Sequence, residues 1–147
     1  MHEGDVRDNI AIERIWQDDG FFQIRVTCSV EIISASADVY VDDALIDELR
    51  DKLESITSLS EDEVFWESGE RGDGSTTSIS FTVSHEDGLG HVRIEAYMEL
   101  EDGGSPSRHN CCFYVRTELG LLAEFSRRLT YIKEMRLGTR IELNRVG

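Results

Sequence analysis

Basic residues are scarce in this 147-residue chain: 15 Lys and Arg stand against 30 Asp and Glu, a formal net charge of −15. A field of that sign repels nucleic acid and anionic membrane, so the partners it admits are cationic. Long apolar runs are missing as well, and nothing approaches the roughly 18 residues of a spanning helix. The opening Met1-His2-Glu3-Gly4-Asp5 has neither the basic nor the apolar segment of a secretory signal, and a cytoplasmic location is expected. Proline occurs once, at Pro106. Cysteine occurs three times, at Cys28, Cys111 and Cys112. An odd number with two neighbours gives no disulfide framework, because adjacent strand residues point to opposite faces. Three reduced thiols packed in strands are expected.

Catalytic signatures are also wanting. No Gly-x-Ser-x-Gly elbow exists, and Gly69-Glu70-Arg71-Gly72-Asp73-Gly74 lacks the Lys and Ser/Thr of a phosphate loop. His85, Asp87 and His91 could be drawn as zinc ligands, but their spacing matches no standard pattern, and Asp87-Gly88 explains itself as turn chemistry. With thirty acids, any chosen carboxylate pair is uninformative. The expectation is no catalytic residue, no metal and no cofactor.

What is present is a repeated pattern. Apolar residues alternate at Phe22, Ile24, Val26, Cys28 and Val30, and again 70 positions later at Val92, Ile94, Ala96, Met98 and Leu100. A short strand follows each, Val39-Tyr40-Val41 and Phe113-Tyr114-Val115. Then come helical stripes offset by 76 positions: Leu45, Leu49, Leu53 and Ile56 against Leu121, Phe125, Leu129 and Ile132, with Ile46 and Leu122 widening them. Asp42 stands where an N-cap should for the first helix and Thr117 for the second. Arg127, Arg128, Lys133 and Arg136 suit the far end of the second, with Gly138 as its C-cap.

Further strands are predicted at Ile10, Ile12, Arg14 and Trp16, which alternate before the hairpin signal Asp18-Asp19-Gly20, then at 64–66, 78–83 and 141–143. The Gly- and Ser-containing stretch around Pro106 reads as an exposed loop. The order is βββαββββα(β): an α+β fold with a mainly antiparallel sheet and two helices, built from two strand-strand-helix half-repeats, about 20–58 and 90–135. Each helix is expected to cover the strands before it. A chain this long buries roughly 70 per cent of its unfolded surface, which fits one domain over 1–147.

Charge is uneven along the chain. Between Asp38 and Asp73 lie 13 acids and 3 bases. With the apolar stripe turned inward, Asp43, Asp47, Glu48, Asp51 and Glu54 point outward, followed by Glu61, Asp62, Glu63, Glu67 and Glu70 around Phe65-Trp66. Such a tract is either a solvated face or a docking surface for a basic partner, and Trp66 either an anchor within it or a core residue.

Phe22-Gln23-Ile24-Arg25-Val26, Val39-Tyr40-Val41 leading through Asp42-Asp43 into Leu45-x3-Leu49-x3-Leu53, Gly90-His91-Val92-Arg93-Ile94, and Phe113-Tyr114-Val115 leading into Glu118–Phe125 together resemble bacterial immunity proteins of the WapI-like type. The resemblance implies a non-enzymatic protein that binds and blocks a cognate toxin inside the cell. It supplies no catalytic residues. The expected partner is a basic protein such as a toxin domain, with no nucleic acid and no membrane. The expected contact residues are Asp43, Asp47, Glu48, Asp51, Glu61, Asp62, Glu63, Trp66, Glu67 and Glu70. The alternative is a regulatory or scaffold module of a larger assembly, including an acidic mimic of nucleic acid.

Overall fold

Eight strands and two helices alternate as the pattern requires, and the computed structural model describes residues 8–105, 107–134 and 137–144. Met1–Asp5, Pro106 and Arg136 lie outside the described residues. Strands β1 (Asn9–Asp18), β2 (Phe21–Ser29) and β3 (Ser34–Val41) lead into α1 (Asp43–Thr57). Strands β4 (Glu63–Ser68), β5 (Ser78–His85), β6 (His91–Glu99) and β7 (Asn110–Glu118) lead into α2 (Leu119–Glu134), and β8 (Arg140–Glu142) closes the chain. The fold is α+β with antiparallel pairing throughout. It contains two four-stranded sheets, ordered β3-β2-β1-β8 (sheet A) and β4-β5-β6-β7 (sheet B). Among the described residues no helix is long and apolar enough to cross a membrane.

The helical stripes turn inward, shifted by one residue at their start. Ile46, Leu49, Leu53 and Ile56 of α1 and Leu122, Phe125, Leu129 and Ile132 of α2 are buried, while Leu45 and Leu121 are half-buried. The offset of 76 survives because both helices shift alike. They join the inward residues of both sheets in one apolar cluster.

The packing partners differ from expectation. α1 lies chiefly against α2 and β4, and α2 meets β8, β7 and β1, so α1 covers the sheet that follows it rather than the strands that precede it. Placed side by side, each helix buries one flank on its twin and another on a sheet, which hides a stripe wider than a single strand layer would.

Caps explain the helix positions. Asp42 has extended backbone and its carboxylate accepts from the Leu45 N–H at 2.9 Å, satisfying an orphan donor of the first turn. Two residues beyond α1, Leu59 has a left-handed φ of 65°, and the N–H groups of Ser60 and Glu61 both donate to the Ser55 carbonyl at 3.0 Å. That reversal throws Glu61 back beside the helix. Thr117 is no cap: β7 runs directly into α2, and the buried Thr117 hydroxyl pairs with Asn144 Oδ1 at 2.6 Å. Gly138, with φ of 90°, donates to the Arg14 carbonyl at 2.7 Å, so it serves the turn into β8 instead of capping α2. The end of α2 is held by Arg14, whose guanidinium donates to the Ile132 and Lys133 carbonyls at 2.8 and 2.7 Å, a cation at the negative helix terminus.

One irregularity in sheet A matters for the surface. Arg14 pairs with Ile24, but Trp16 pairs with Gln23, so Ile15 is an extra residue, a β-bulge. Ile10, Ile12 and Arg14 face inward, the last with its guanidinium 4.0 Å from the Phe22 ring centroid. The bulge then flips Trp16 to the outer face, where an uninterrupted alternation would have turned it in.

Candidate docking surface

Bringing Trp16 outward places it in one cross-strand row with Gln23 and Tyr40, while Phe21 stands two residues from Gln23 on the same face. The three rings touch: centroids are 5.8 Å apart for Trp16–Phe21, 5.9 Å for Trp16–Tyr40 and 5.7 Å for Phe21–Tyr40. All remain open to solvent, at 41%, 41% and 59% exposure for Trp16, Phe21 and Tyr40. An exposed contact among three large aromatics is the composition of an interface anchor rather than of a solvated sheet face.

Carboxylates surround it. A depression of about 430 Å³ is lined by Phe21, Tyr40, Asp42, Ala44 and Glu48. A second, of about 370 Å³, runs from Phe21 to Asp18, Asp42, Asp43, Ala44 and Lys133. A third, of about 620 Å³, continues along α1 past Ala44, Asp47, Glu48, Asp51, Ser55, Glu61 and Val64. Ala44, exposed in the first turn of α1, lines all three, so the depressions adjoin one another from the aromatic trio along the outer face of α1; together they are called the trough.

Of the expected contact residues, Asp43, Asp47, Glu48, Asp51 and Glu61 line this trough. Three of them already hold cations. Asp47 pairs with Lys133 of α2 at 2.6 Å and with Arg50 at 3.0 Å, Asp51 with Arg50 at 3.2 Å, and Glu48 with Lys52 at 3.0 Å. The Lys133 hydrogen bond, followed by the Arg50 charge, holds the Asp47 carboxyl below its ordinary value. Lys133 joins Arg50 and Lys52 on this face, and Arg14 lines the second depression beside Lys133. Asp43, Glu54 and Glu61 have no ion pair among the described residues. The Glu48–Lys52 and Asp51–Arg50 pairs are exposed and worth about 0–1 kcal/mol each, whereas the two Asp47 pairs are part-buried.

The other expected contacts fall elsewhere. Trp66 is 1% exposed; its indole N–H donates to the Leu45 carbonyl at 3.0 Å and its ring stacks on Phe81 at 5.7 Å. It is a core residue and offers no surface to a partner, because alternation along β4 turns Val64, Trp66 and Ser68 inward and Glu63, Phe65 and Glu67 outward. Glu63 and Glu67 therefore stand on the outer face of sheet B, Glu70 follows in the next loop, and Asp62 contributes its carbonyl to the His85 N–H. None of these lines the trough.

Asp87 accepts from the Leu89 N–H at 2.8 Å and from the His91 ring at 2.7 Å, which lowers its pKa and raises that of His91. Asp87 and His91 thus pair within their own hairpin, and among the described residues no three metal-ligating side chains converge. Burial pushes the Cys28 thiol far up, and Cys111 and Cys112 upward as well, so none is an activated nucleophile.

At one end of sheet B two loops share a carboxylate. Glu99, fully buried, accepts from Gly72 N–H at 2.9 Å, Tyr97 O–H at 2.8 Å and Ser107 N–H at 3.2 Å. Asp102 accepts from Gly104 N–H and Arg108 N–H, each at 2.8 Å, and meets the His109 ring at 3.0 Å. These donors, the Gly72 and Gly104 amides foremost, hold both carboxyls below their ordinary values of about 4.3 and 3.9. A depressed folded pKa stabilises above the unfolded value and is lost as pH falls through the folded one. The Gly72 and Ser107 amide resonances are expected to move with a midpoint below the ordinary glutamate value, and those of Gly104 and Arg108 with one far below the ordinary aspartate value. Midpoints at or above the ordinary values in an NMR titration would contradict this.

No family model matches the chain, nor does any curated protein or solved structure.

Proposed function

We propose that this chain is a non-enzymatic binding protein, an immunity protein that neutralises a cognate basic toxin in the cytoplasm by direct binding. The supporting observation is the trough: an open aromatic trio beside a face carrying Asp43, Asp47, Glu48, Asp51 and Glu61, of which Asp43 and Glu61 hold no cation among the described residues and Glu48 and Asp51 hold theirs in exposed pairs. Aromatics supply contact area at low entropic cost. Carboxylates around them steer a cationic partner and raise the encounter rate by factors on the order of 10 to 1,000 at low salt. The resemblance to WapI-like immunity proteins points to a toxin as that partner.

The test uses the full chain as bait in its native host. The captured partner is expected to be strongly basic, to stop growth when produced alone, and to lose that effect when the chain is produced with it. A captured partner that is acidic, or that is harmless on its own, contradicts the reading.

A further inference from the structure

The proposed function leaves open which group of the partner the trio receives. The aromatic rings elsewhere suggest an answer. Arg71 lies 3.7 Å from the Tyr97 centroid and Arg93 lies 4.8 Å from that of Tyr114 on sheet B, while Arg14 covers Phe22 from within. In each case a guanidinium stacks on a ring, the geometry that its planar, weakly hydrated charge favours. Trp16, Phe21 and Tyr40 are open to solvent, as Tyr114 is, yet among the described residues no arginine or lysine stacks on them.

The rim has acceptors to spare. Asp42 uses Oδ1 for the Leu45 N–H, and its Oδ2 has no partner among the described residues; Glu48 meets Lys52 only at an exposed surface pair. Both line the depression beside Phe21 and Tyr40. A ring face next to a carboxylate edge satisfies both needs of a guanidinium at once: stacking on its plane and hydrogen bonds from its N–H groups. A lysine ammonium, compact and strongly hydrated, uses the second far better than the first. A second copy of this chain is a poor occupant, since each copy carries a net charge of −15 and would bring acids to acids.

We propose that Trp16, Phe21 and Tyr40 form an anchor site for an arginine side chain of a basic protein, with Asp42 and Glu48 accepting its N–H groups. This rests on the reading that a basic protein docks at the trough, and the experiment separates the two. The chain has two tryptophans, Trp16 at the site and Trp66 in the core. Their indole N–H resonances therefore report site and fold in one spectrum.

Hexa-arginine and hexa-lysine peptides are titrated at low salt into the wild-type chain and into Tyr40→Ala and Phe21→Ser variants. With hexa-arginine the Trp16 signal is expected to shift saturably while Trp66 stays fixed. Hexa-lysine should bind at least about fivefold more weakly, and each variant should lose about tenfold in hexa-arginine affinity with an unchanged Trp66 signal. If both peptides bind equally and the variants match wild type, charge alone attracts the partner; the arginine site is overturned and the basic-partner reading stands. If neither peptide binds, both fall. If the Trp16 signal instead shifts with protein concentration in the absence of peptide, the trio is a contact between copies and the arginine site is overturned.

Discussion

Replacing Trp66 by Ala is expected to lower the unfolding free energy by about 3–5 kcal/mol and the melting temperature by roughly 10 °C. The side chain is the largest of those almost wholly buried, and its removal opens a cavity that rigid neighbours cannot fill. It also deletes the stack on Phe81 and the hydrogen bond to the Leu45 carbonyl. Trp66→Phe keeps most of the volume and the stack but not the N–H, and should cost about 1–2 kcal/mol. Chemical denaturation of the three proteins checks this. A loss below about 1 kcal/mol for the Ala variant would show that Trp66 is not the core residue described. Because Leu45 lies in the first turn of α1, next to Ala44, the indole also fixes the helix end that floors the trough. Trp66 thus supports the docking surface from beneath.

Ala44→Arg is expected to weaken binding of a basic partner about 100-fold while leaving stability within about 0.5 kcal/mol. Ala44 is exposed and borders all three depressions, so the new side chain sets a like charge and added bulk where the partner's cation must sit. The fold has no reason to object, since Arg is nearly as good a helix former as Ala and the position touches no core. Ala44→Ser serves as the neutral control and should bind as wild type within about threefold. Surface plasmon resonance against the captured partner, beside a melting curve, decides the matter. Equal affinity for Ala44→Arg would remove the trough from the interface.

Much of this architecture was legible in the residues, because period-2 and period-3.6 patterns are enforced by burial wherever one face meets a core. Val26 and Cys28, or Leu49 and Leu53, could not have been placed otherwise. The sequence does not decide between Leu45 and Ile46 as the first buried residue, because two adjacent apolar side chains satisfy either phase. Which sheet each helix covers was hidden for a different reason: an apolar stripe states that something packs on it but not what. Trp66 was ambiguous between core and anchor until the alternation of β4 assigned it a face.

The aromatic trio was missed altogether. Trp16 continues the Ile10, Ile12, Arg14 alternation in sequence, and nothing in the chain announces that Ile15 is an extra residue. A bulge has no composition cue as strong as a turn's, and it reverses every inward–outward assignment beyond it. The acids of α1 were readable as outward because the helix stripe fixed their face, whereas the reach of Lys133 across to Asp47 depended on the two helices lying side by side.

Hydroxyl-radical footprinting of the chain alone and in complex with a basic protein captured by it tests the proposed docking surface most directly. Trp16, Phe21 and Tyr40 are open in the free protein, as are Phe65 and Tyr114 on the outer face of sheet B and Leu89 in the hairpin before β6. On binding, oxidation of the trio should fall several-fold while Phe65, Tyr114 and Leu89 stay as reactive as before. Protection of Phe65 and Tyr114 with an unprotected trio would place the interface on the opposite sheet and contradict the trough as the site of binding.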